Sequence, residues 1–426
     1  MEELYKRFRE SSGVSIDTRT IKGGELFFCL KGDQFNGNKF ASQALEDGAS
    51  FIIVDDADYY IKNAPMLLVD DSLKVLQELS KYHRGQLNIP VIGITGTNGK
   101  TTTKELINAV LSAHFQTLST NGNFNNHIGV PLTLLRIEDK HQIAVIEMGA
   151  NHLGEIADLC KLSQPNFGLI TNIGKAHLEG FGSFENIIIT KTALYRSIQQ
   201  SAGTVFLNAD DELLIKESEG LQQVKYSVKN NSNVRLELVT SDGSLKFRWN
   251  NISVQTQLFG EYNIYNAAAA IAIGEYFKIP SAKIVKALEE YKPSNNRSQL
   301  VNGDNNELIL DAYNANPDSM KQALSFFNQA SSNKKAVILG DMLELGEYEK
   351  IEHKKILDLL DSMNFDEVFL VGSAFSKQKA NYPPFQFFKD NMTALEYFKS
   401  NHLIGYRILL KGSRGISLEL LKDQLL

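Results

Sequence analysis

The chain has 426 residues, of which 43% are hydrophobic and 22% charged, a balance typical of a globular protein with several buried cores. Its formal net charge is −6 and no basic stripe stands out, so electrostatics gives no support to a nucleic-acid partner. No apolar run approaches the ~20 residues of a membrane span, and the first residues lack the apolar core of a signal peptide. Cys29 and Cys160 lie among apolar neighbours and indicate buried free thiols. We therefore expect a cytoplasmic protein without membrane insertion.

Residues 1–88 predict a small α/β domain. Short apolar runs at residues 26–30 and 51–54 are bounded by turn residues and predict strands. A short helix is predicted between them at residues 41–46. Residues 73–84 carry apolar side chains at helical spacing, so we expect a helix there to close the domain.

A second unit is predicted over residues 89–293. It begins with an apolar strand at residues 89–94 that runs into a glycine-rich turn, and a helix is predicted at residues 102–113. Further strands are predicted at residues 143–146, 167–170, 204–207 and 254–258, with helices between most of the earlier ones and an alanine-rich helix at 267–277. This alternation predicts a mostly parallel sheet covered by helices on both faces.

A third unit is predicted over residues 294–426, after a hinge at residues 291–296 marked by Pro293. Strands predicted at residues 308–310, 335–339, 367–371 and 406–410 alternate with helices near 318–329, 349–362 and 391–400. The expected fold class is therefore α/β with three domains: a small α/β domain, a central P-loop ATPase-like domain with a mostly parallel sheet, and a C-terminal Rossmann-like doubly wound domain.

The glycine-rich turn has the sequence GITGTNGKT at residues 93–101. Between a strand and a helix, such a turn exposes backbone N–H groups that favour bound phosphate. Lys100 would place its charge on the terminal phosphates, and Thr101 is placed to ligate Mg²⁺. The general pattern G-x-x-x-x-G-K-[ST] has glycine where this chain has Ile94. The turn predicts a nucleotide and leaves a switch GTPase, a transport ATPase, a kinase and a ligase open.

Residues 96–102, GTNGKTT, resemble the phosphate loop of the Mur ligases, a family of ATP-dependent amide ligases. The stretches NFNNHIGVP (123–131), IEMGANH (146–152) and TNIGKAH (171–177) extend the resemblance in the expected order. The stretches DAYNANPDSM (311–320), GDMLELG (340–346) and KGSRG (411–415), with DTR (17–19) and LKG (30–32), are similar to the members that add D-alanyl-D-alanine. The resemblance covers nearly the whole chain.

The resemblance implies that the substrates are ATP, UDP-N-acetylmuramoyl-tripeptide and D-alanyl-D-alanine. The tripeptide carboxylate would attack the γ-phosphate, and the resulting acyl phosphate would be attacked by the dipeptide amine. This is the last cytoplasmic peptide-adding step of peptidoglycan precursor synthesis. Because two anions must approach each other, charge neutralisation and positioning would be the main tasks of the protein. The family also implies a monomer.

The resemblance assigns phosphate binding to the loop residues Gly96, Thr97, Asn98, Gly99, Lys100, Thr101 and Thr102. A first Mg²⁺ is expected at Thr101 and at Glu147, a hard carboxylate at the end of a predicted strand. A second Mg²⁺ is implied at His177 and at Lys191, which would be carbamylated by CO₂. Judged from the residues alone, His177 would be a hydrogen-bonded structural histidine and Lys191 a solvated helix lysine. The acid that the family carries after this lysine is Ala193 here.

Nucleotide-binding residues are also expected beyond the loop. Asn263 and Asn266 begin the alanine-rich helix. An amide can pair with the edge of adenine, and because Asn263 is a candidate helix N-cap, Asn266 is the better adenine candidate. Arg297 would reach the γ-phosphate across a closing interface, and Asp311 would bind the ribose of ATP. Catalysis is therefore expected to need domain closure.

The expected catalytic residues are Lys100, His177, Lys191 and Arg297. Candidate substrate-binding residues come from all three domains. They are Asn123 and Asn126 in the second, Asn314, Asn316 and Lys411 in the third, and Thr18, Arg19 and Lys31 for the uridine diphosphate in the first. For Lys31 an ordinary surface charge is the alternative.

Two alternatives to this function stay open. The chain could be another amide ligase of the family, such as the diaminopimelate- or lysine-adding one, or a catalytically silent nucleotide-binding paralogue. The presence of Lys100, Glu147, His177 and Lys191 argues against the silent paralogue. The third residue of the tripeptide, diaminopimelate or lysine, also stays open.

Overall fold

The computed structural model describes residues 1–32, 34–239, 243–294, 296–331 and 334–426. The N-terminal region has a four-stranded sheet, order β1-β2-β5-β6, that is parallel throughout, and a separate two-stranded antiparallel hairpin, β3-β4. Its elements are α1 (Glu2–Glu10), β1 (Val14–Ser15), β2 (Leu26–Phe28), β3 (Lys31–Gly32), β4 (Phe35–Asn36), α2 (Ala41–Glu46), β5 (Phe51–Val54), β6 (Met66–Leu68) and α3 (Ser72–Gln86).

Helix α3 connects the N-terminal region to the central region through hydrogen bonds. Its buried Arg84 donates to the backbone oxygen of Ser163 at 3.0 Å. His83 is fully buried, and its Nε2 donates to the carbonyl of Ile137 at 2.8 Å, so its Nδ1 accepts from the hydroxyl of Tyr5 at 3.2 Å. Burial lowers the pKa of His83, because a charged ring would lose its hydration there. The neutral imidazole therefore links the two regions.

The central region contains a seven-stranded, wholly parallel sheet of order β13-β12-β11-β10-β7-β9-β8. Its elements are β7 (Val91–Thr95), α4 (Lys100–Ser112), β8 (Thr117–Ser119), α5 (Gly129–Leu134), β9 (Ile143–Glu147), α6 (Glu155–Ser163), β10 (Phe167–Ile170), α7 (Leu178–Phe181), α8 (Phe184–Gln200), β11 (Thr204–Asn208), α9 (Glu212–Glu217), β12 (Gln222–Ser227) and β13 (Val234–Arg235). Strands β9 and β8 lie on one side of β7, with β9 adjacent to it, and β10 lies on the other side. The carboxyl end of β7 therefore faces the crevice where ligands bind in such sheets.

Three antiparallel strands and two helices complete this region: β14 (Glu237–Val239), β15 (Ser244–Trp249), β16 (Ile252–Phe259), α10 (Ile264–Tyr276) and α11 (Ser281–Glu290). The strand predicted at residues 254–258 lies within β16. Its placement in the central sheet is wrong, because β16 pairs with the first strand of the third region through Leu258 and Gln299. Alternating buried and exposed residues in β16 fit an antiparallel strand, whereas β7, β9 and β11 are buried throughout.

The third region completes a nine-stranded sheet of order β14-β15-β16-β17-β18-β22-β19-β20-β21, whose strands from β18 onwards are parallel. Its elements are β17 (Gln299–Asn302), β18 (Glu307–Asp311), α12 (Pro317–Gln329), β19 (Lys335–Gly340), α13 (Glu349–Asp361), β20 (Glu367–Val371), α14 (Ser373–Ser376), β21 (Gln386–Phe388), α15 (Asn391–Ser400), β22 (Arg407–Lys411) and α16 (Lys422–Leu425). The predicted hinge includes position 295, which lies outside the described residues.

Several sequence-based predictions about the fold are confirmed. The chain is α/β, its central sheet is parallel, and the predicted helix at residues 41–46 and the strand at residues 51–54 have the predicted bounds. Cys29 and Cys160 are buried free thiols. Within the described ranges, no helix has both the length and the apolar content to cross a bilayer.

Candidate active site

A cavity of about 1140 Å³ lies between the carboxyl ends of the central and third sheets, and all three regions line it. Most of the sequence-predicted site residues meet there. They are Thr97, Asn98, Gly99, Lys100, Thr101, Thr102, Asn123, Asn126, Glu147, His177, Asn266, Arg297, Asp311, Asn314, Asn316 and Lys411.

The phosphate loop has a shape that depends on glycine. A Cβ at Gly96 would lie 1.9 Å from the hydroxyl of Thr171, so no other residue fits without movement. Asn172 accepts from the backbone N–H of Asn98 at 3.0 Å, and Thr171 donates to the carbonyl of Asn98 at 2.7 Å. These contacts from the end of β10 hold the loop in place at the N-terminus of α4.

Two lysines converge on one carbonyl of this loop. Lys100 Nζ donates to the oxygen of Gly96 at 2.8 Å and to that of Thr97 at 2.9 Å, and Lys191 Nζ donates to the same Gly96 oxygen at 3.0 Å. Burial lowers the pKa of Lys100 to about 8. Burial, and then repulsion from Lys100, hold the pKa of Lys191 well below its usual range. The alternative of a solvated Lys191 is wrong, because the residue is 3% exposed.

Glu147, at the end of β9, offers a carboxylate oxygen for a cation. Its Oε1 accepts from Thr101 at 3.1 Å and from Asn125 at 2.8 Å, and its backbone N–H donates to Thr120 at 2.9 Å. Its Oε2 is buried and has no hydrogen-bond partner among the described residues. An unpaired buried carboxylate oxygen beside a phosphate loop fits a Mg²⁺ ligand, since Mg²⁺ typically binds one or two carboxylates together with substrate phosphates.

Sequence reasoning missed Asn125, although it lies in the stretch NFNNHIGVP with the chosen residues Asn123 and Asn126. Asn126 instead uses its side-chain oxygen to accept from the backbone N–H groups of Ile128 and Gly129, at 3.1 and 2.9 Å. It therefore shapes the turn into α5, whereas Asn125 orients Glu147.

His177 precedes α7 with a left-handed backbone, φ 52°. Its Nδ1 lies beside the carboxylate of Glu344 in the third region. This contact lowers the pKa of the Glu344 carboxyl, because the hydrogen bond from the imidazole favours the charged form. Sequence reasoning missed Glu344, whose partner lies in another region of the chain.

Asn266 packs directly under the phosphate loop. Its Oδ1 accepts from Thr103 at 2.9 Å and its Nδ2 donates to Asn263 at 2.7 Å. The interpretation of Asn263 as a side-chain N-cap is wrong, because its amide donates to the carbonyl of Phe259 at 2.8 Å. A Cβ at Gly99 would lie 2.8 Å from Asn266 Oδ1. The loop and α10 therefore fit together through this amide.

The third region contributes a charged wall. Asp311 accepts from the backbone N–H of Ser298 at 3.2 Å and from Lys411 Nζ at 2.5 Å. The Arg297 guanidinium lies 3.5 Å above the ring of Tyr313, and its buried Nε has no hydrogen-bond partner. Arg297 and Lys100 both line the cavity, so two cations from different regions face the same space.

The third region closes directly onto the phosphate loop. Asn316 Nδ2 donates to Asn98 Oδ1 at 2.7 Å, while its Oδ1 caps α12 by accepting from Ser319. The backbone N–H of Lys175 donates to Asp318 at 3.3 Å. The third region therefore contacts the phosphate loop directly, and Asn316, a candidate substrate-binding residue, here binds the loop and caps α12.

Three predicted residues of the N-terminal region lie away from the cavity. Arg19, next to Thr18, is an exposed ion-pair partner of Asp17 at 2.6 Å, and Lys31 pairs with Asp55 at 3.0 Å. The region reaches the cavity through α3 instead, by residues Lys74, Gln77, Glu78 and Lys81. The last three of these residues lie three, four and seven positions after Lys74, so all four share one face of the helix. This polar face could have been identified from the sequence.

A phosphate loop that faces a carboxylate with one free oxygen and the cations of a second doubly wound domain defines a multidomain nucleotide-using enzyme of the P-loop kind. Three family models match the chain in order: Mur ligase family, catalytic domain, at residues 10–84; Mur ligase middle domain at residues 94–274; and Mur ligase, glutamate ligase domain, at residues 296–414. The chain belongs to the Mur ligase family.

Its relatives and structural neighbours cover nearly all of it. UDP-N-acetylmuramoyl-tripeptide–D-alanyl-D-alanine ligase of Bacillus subtilis is 36% identical over 96% of this chain and 92% of its own length; the Escherichia coli enzyme is 33% identical over 95% and 92%. The crystal structure of MurF from Acinetobacter baumannii has a TM-score of 0.87 at 30% identity, covering 99% of this chain and 98% of that one. MurF ligase from Thermotoga maritima in complex with ADP has a TM-score of 0.85 at 25% identity, covering 100% and 98%. The expected family, three-domain fold and ligase class are confirmed.

Proposed function

We propose that this chain joins D-alanyl-D-alanine to UDP-N-acetylmuramoyl-tripeptide with conversion of ATP to ADP and phosphate. The observation that carries the proposal is the cavity in which the phosphate loop, Glu147 and the third-region residues Arg297 and Asp311 meet. Relatives and structural neighbours that are similar end to end support it, and one neighbour contains ADP. The proposal includes a cytoplasmic monomer built of domains 1–88, 89–293 and 294–426.

The reaction would run in two steps. A carboxylate oxygen of the tripeptide attacks the γ-phosphorus of ATP, the bond to the β-phosphate oxygen breaks, and ADP leaves. The dipeptide amine then attacks the acyl carbon, the C–O bond to phosphate breaks, and the nitrogen loses a proton as the amide forms. Lys100 and Arg297 would offset the charge that builds up on the transferred phosphoryl group. Asp311 would hold the ribose.

Thr101 and Glu147 would hold a Mg²⁺ ion, which when bound supplies positive charge to phosphate oxygens. The unpartnered Oε2 of Glu147 is the atom free to do so. His177 and a carbamylated Lys191 would hold a second ion. The Lys191 amine suits carbamylation because it is buried with a lowered pKa, so its neutral form can attack CO₂. The N–C bond forms and the nitrogen releases a proton.

Carbamylation can be tested apart from turnover. Protein equilibrated with ¹³C-bicarbonate should show a carbamate carbon resonance by NMR that is absent from Lys191→Arg. A matched control is Lys104→Met, which should keep the resonance, because Lys104 is also buried but is paired with the carboxylate of Glu105. A wild-type spectrum without the resonance would reject the carbamate.

The overall function is tested by phosphate release from ATP. Release should require both the UDP-linked tripeptide and D-alanyl-D-alanine, and Lys100→Met should reduce it at least 100-fold, as expected for lost phosphoryl charge stabilisation. Lys216→Met, at an exposed position of α9, is the control and should behave as wild type. Replacing the dipeptide with diaminopimelate or lysine distinguishes the other ligases. Release that does not depend on D-alanyl-D-alanine rejects the proposal.

A further inference from the structure

Among the residues that the structure describes, the third-region wall of the cavity carries three cations, and one of them, Lys411, has a carboxylate partner. Lys411 Nζ lies 2.5 Å from Asp311, and the half-buried Arg297 has its guanidinium 3.5 Å from the centre of the Tyr313 ring. In the part of the chain that the structure describes, the remaining cation, Arg414, has no carboxylate partner, and its side chain is exposed to the cavity. An unpaired guanidinium on this wall is suited to bind an anion that comes with a substrate.

Arg414 lies on a well-anchored loop at the carboxyl end of β22. The preceding residue, Ser413, accepts from the backbone N–H of Leu343 at 3.0 Å and donates through its own N–H to the carbonyl of Asp341 at 3.3 Å. Its hydroxyl also contacts the carbonyl of Ala315 at 3.4 Å. Because β22 lies between β18 and β19, the loop is fixed to both neighbouring strand ends, and Arg414 has a defined starting position.

The ring of Tyr313 joins the two arginines of this wall. The Arg297 carbon Cζ lies 3.5 Å from the ring centroid and that of Arg414 lies 5.4 Å from it. Guanidinium groups are attracted to an aromatic face by its quadrupole. One ring therefore orients two cations into the same cavity, with Arg297 towards the phosphate loop.

We propose that Arg414 binds the C-terminal carboxylate of the incoming dipeptide and that Tyr313 is its positioning residue. The inference rests on the proposed function. A dipeptide that attacks through a neutral amine has one charged group left, its carboxylate, and a guanidinium can bind it through two parallel hydrogen bonds. The proposed function assigns Lys100 and Arg297 to phosphate, and Lys411 pairs with Asp311, so Arg414 is the cation of the third-region wall left for the carboxylate. The ligase would thus select acceptors with a free C-terminus.

The test compares D-alanyl-D-alanine with D-alanyl-D-alaninamide as acceptor, in the full-length protein with both other substrates present. Wild type should prefer the acid in kcat/KM on the order of 10- to 100-fold, the size expected for a charge-assisted hydrogen bond. Arg414→Gln should raise the KM for the acid by a similar factor and bring the acid-to-amide ratio close to one. Its KM for ATP should stay within about twofold of wild type.

Three further variants make the outcome specific. Arg414→Lys keeps the charge without the paired donors and should keep part of the acid preference. Tyr313→Phe keeps the ring and should resemble wild type, whereas Tyr313→Leu should weaken the acid preference. Arg235→Gln changes an exposed arginine of β13 and is the control.

An unchanged acid-to-amide ratio in Arg414→Gln overturns the inference. So does a rise in the KM for ATP as large as that for the dipeptide, since it would indicate a general structural effect. Wild type that does not turn over with the dipeptide at all rejects the proposed function instead, so the two failures are distinguishable.

Discussion

The contact between Asn98 and Asn316 is the point at which the third region closes onto the phosphate loop. We expect Asn316→Ser to break this contact selectively. Serine caps a helix N-terminus about as well as asparagine, so the cap on α12 is kept, but its side chain is too short to reach Asn98. The 2.7 Å bond is neutral and Asn98 is only half-buried, so water can replace part of it.

The expected loss is about 0.5–1.5 kcal/mol, the net value of one such hydrogen bond. At 25 °C this corresponds to a roughly 2- to 13-fold decrease in kcat/KM for ATP. The free energy of unfolding should change by less than about 0.5 kcal/mol, because the helix cap is retained.

A double-mutant cycle isolates the contact. Asn98→Ala and Asn316→Ser are measured alone and together by steady-state phosphate release. If the contact couples the two regions during catalysis, the double variant should be little worse than the poorer single variant. Additive losses within about 0.3 kcal/mol would refute the reasoning, as would a variant whose loss of activity follows a matching loss of stability.

Three other predictions follow from local geometry. Gly99→Ala should weaken ADP binding measured by calorimetry, because the φ of 79° at Gly99 and the 2.8 Å distance to Asn266 both oppose a Cβ atom. Gly220→Ala is the control, since Gly220 has a φ of 78° but open space around it. That variant should lose only about 1–2 kcal/mol of stability through backbone strain. The two buried cysteines, whose thiol pKa values burial raises to about 12, should not react with a thiol reagent at pH 8 until the protein is denatured; fast labelling of the native protein would contradict this. The lowered pKa of His83 means that the unfolded state takes up its proton first, so stability falls as pH drops below about 6.5. His83→Gln should flatten that slope in denaturant titrations between pH 7.5 and 5.5, and an unchanged slope would contradict the assignment.

Local sequence signals were sufficient for much of the fold. Buried parallel strands such as β7 and β9 are continuous apolar runs, and the phosphate loop lies between a strand and a helix as its glycines predict. The sheet to which the antiparallel strands β14 to β16 belong was harder to predict, because alternating buried and exposed residues do not indicate which sheet a strand joins. The choice of sheet is made by a partner strand, β17, that lies beyond two intervening helices.

The residues of the candidate site show the same difference between local and long-range signals. The roles of Lys100, Thr101 and Glu147 could be predicted from the sequence, because these residues lie in the glycine-rich loop or at the end of a predicted strand. The pairs His177–Glu344 and Asn98–Asn316 depend on how two domains dock, which hydrophobic periodicity does not encode. For Lys191, the residue type alone suggested a solvated lysine on a helix, and the packing of α8 under the loop explains its burial.

The pairing of β16 with β17 has a mechanical consequence. The inner face of β16 packs into the core of the central sheet, while its edge is paired with the third sheet through Leu258 and Gln299, with Phe259 donating to the carbonyl of Ser298 at 3.3 Å. This short ladder therefore joins the central and third sheets at one point. Because Ser298 also lines the cavity beside Arg297, any rotation of the third domain about the ladder would move the arginine-bearing wall relative to the phosphate loop.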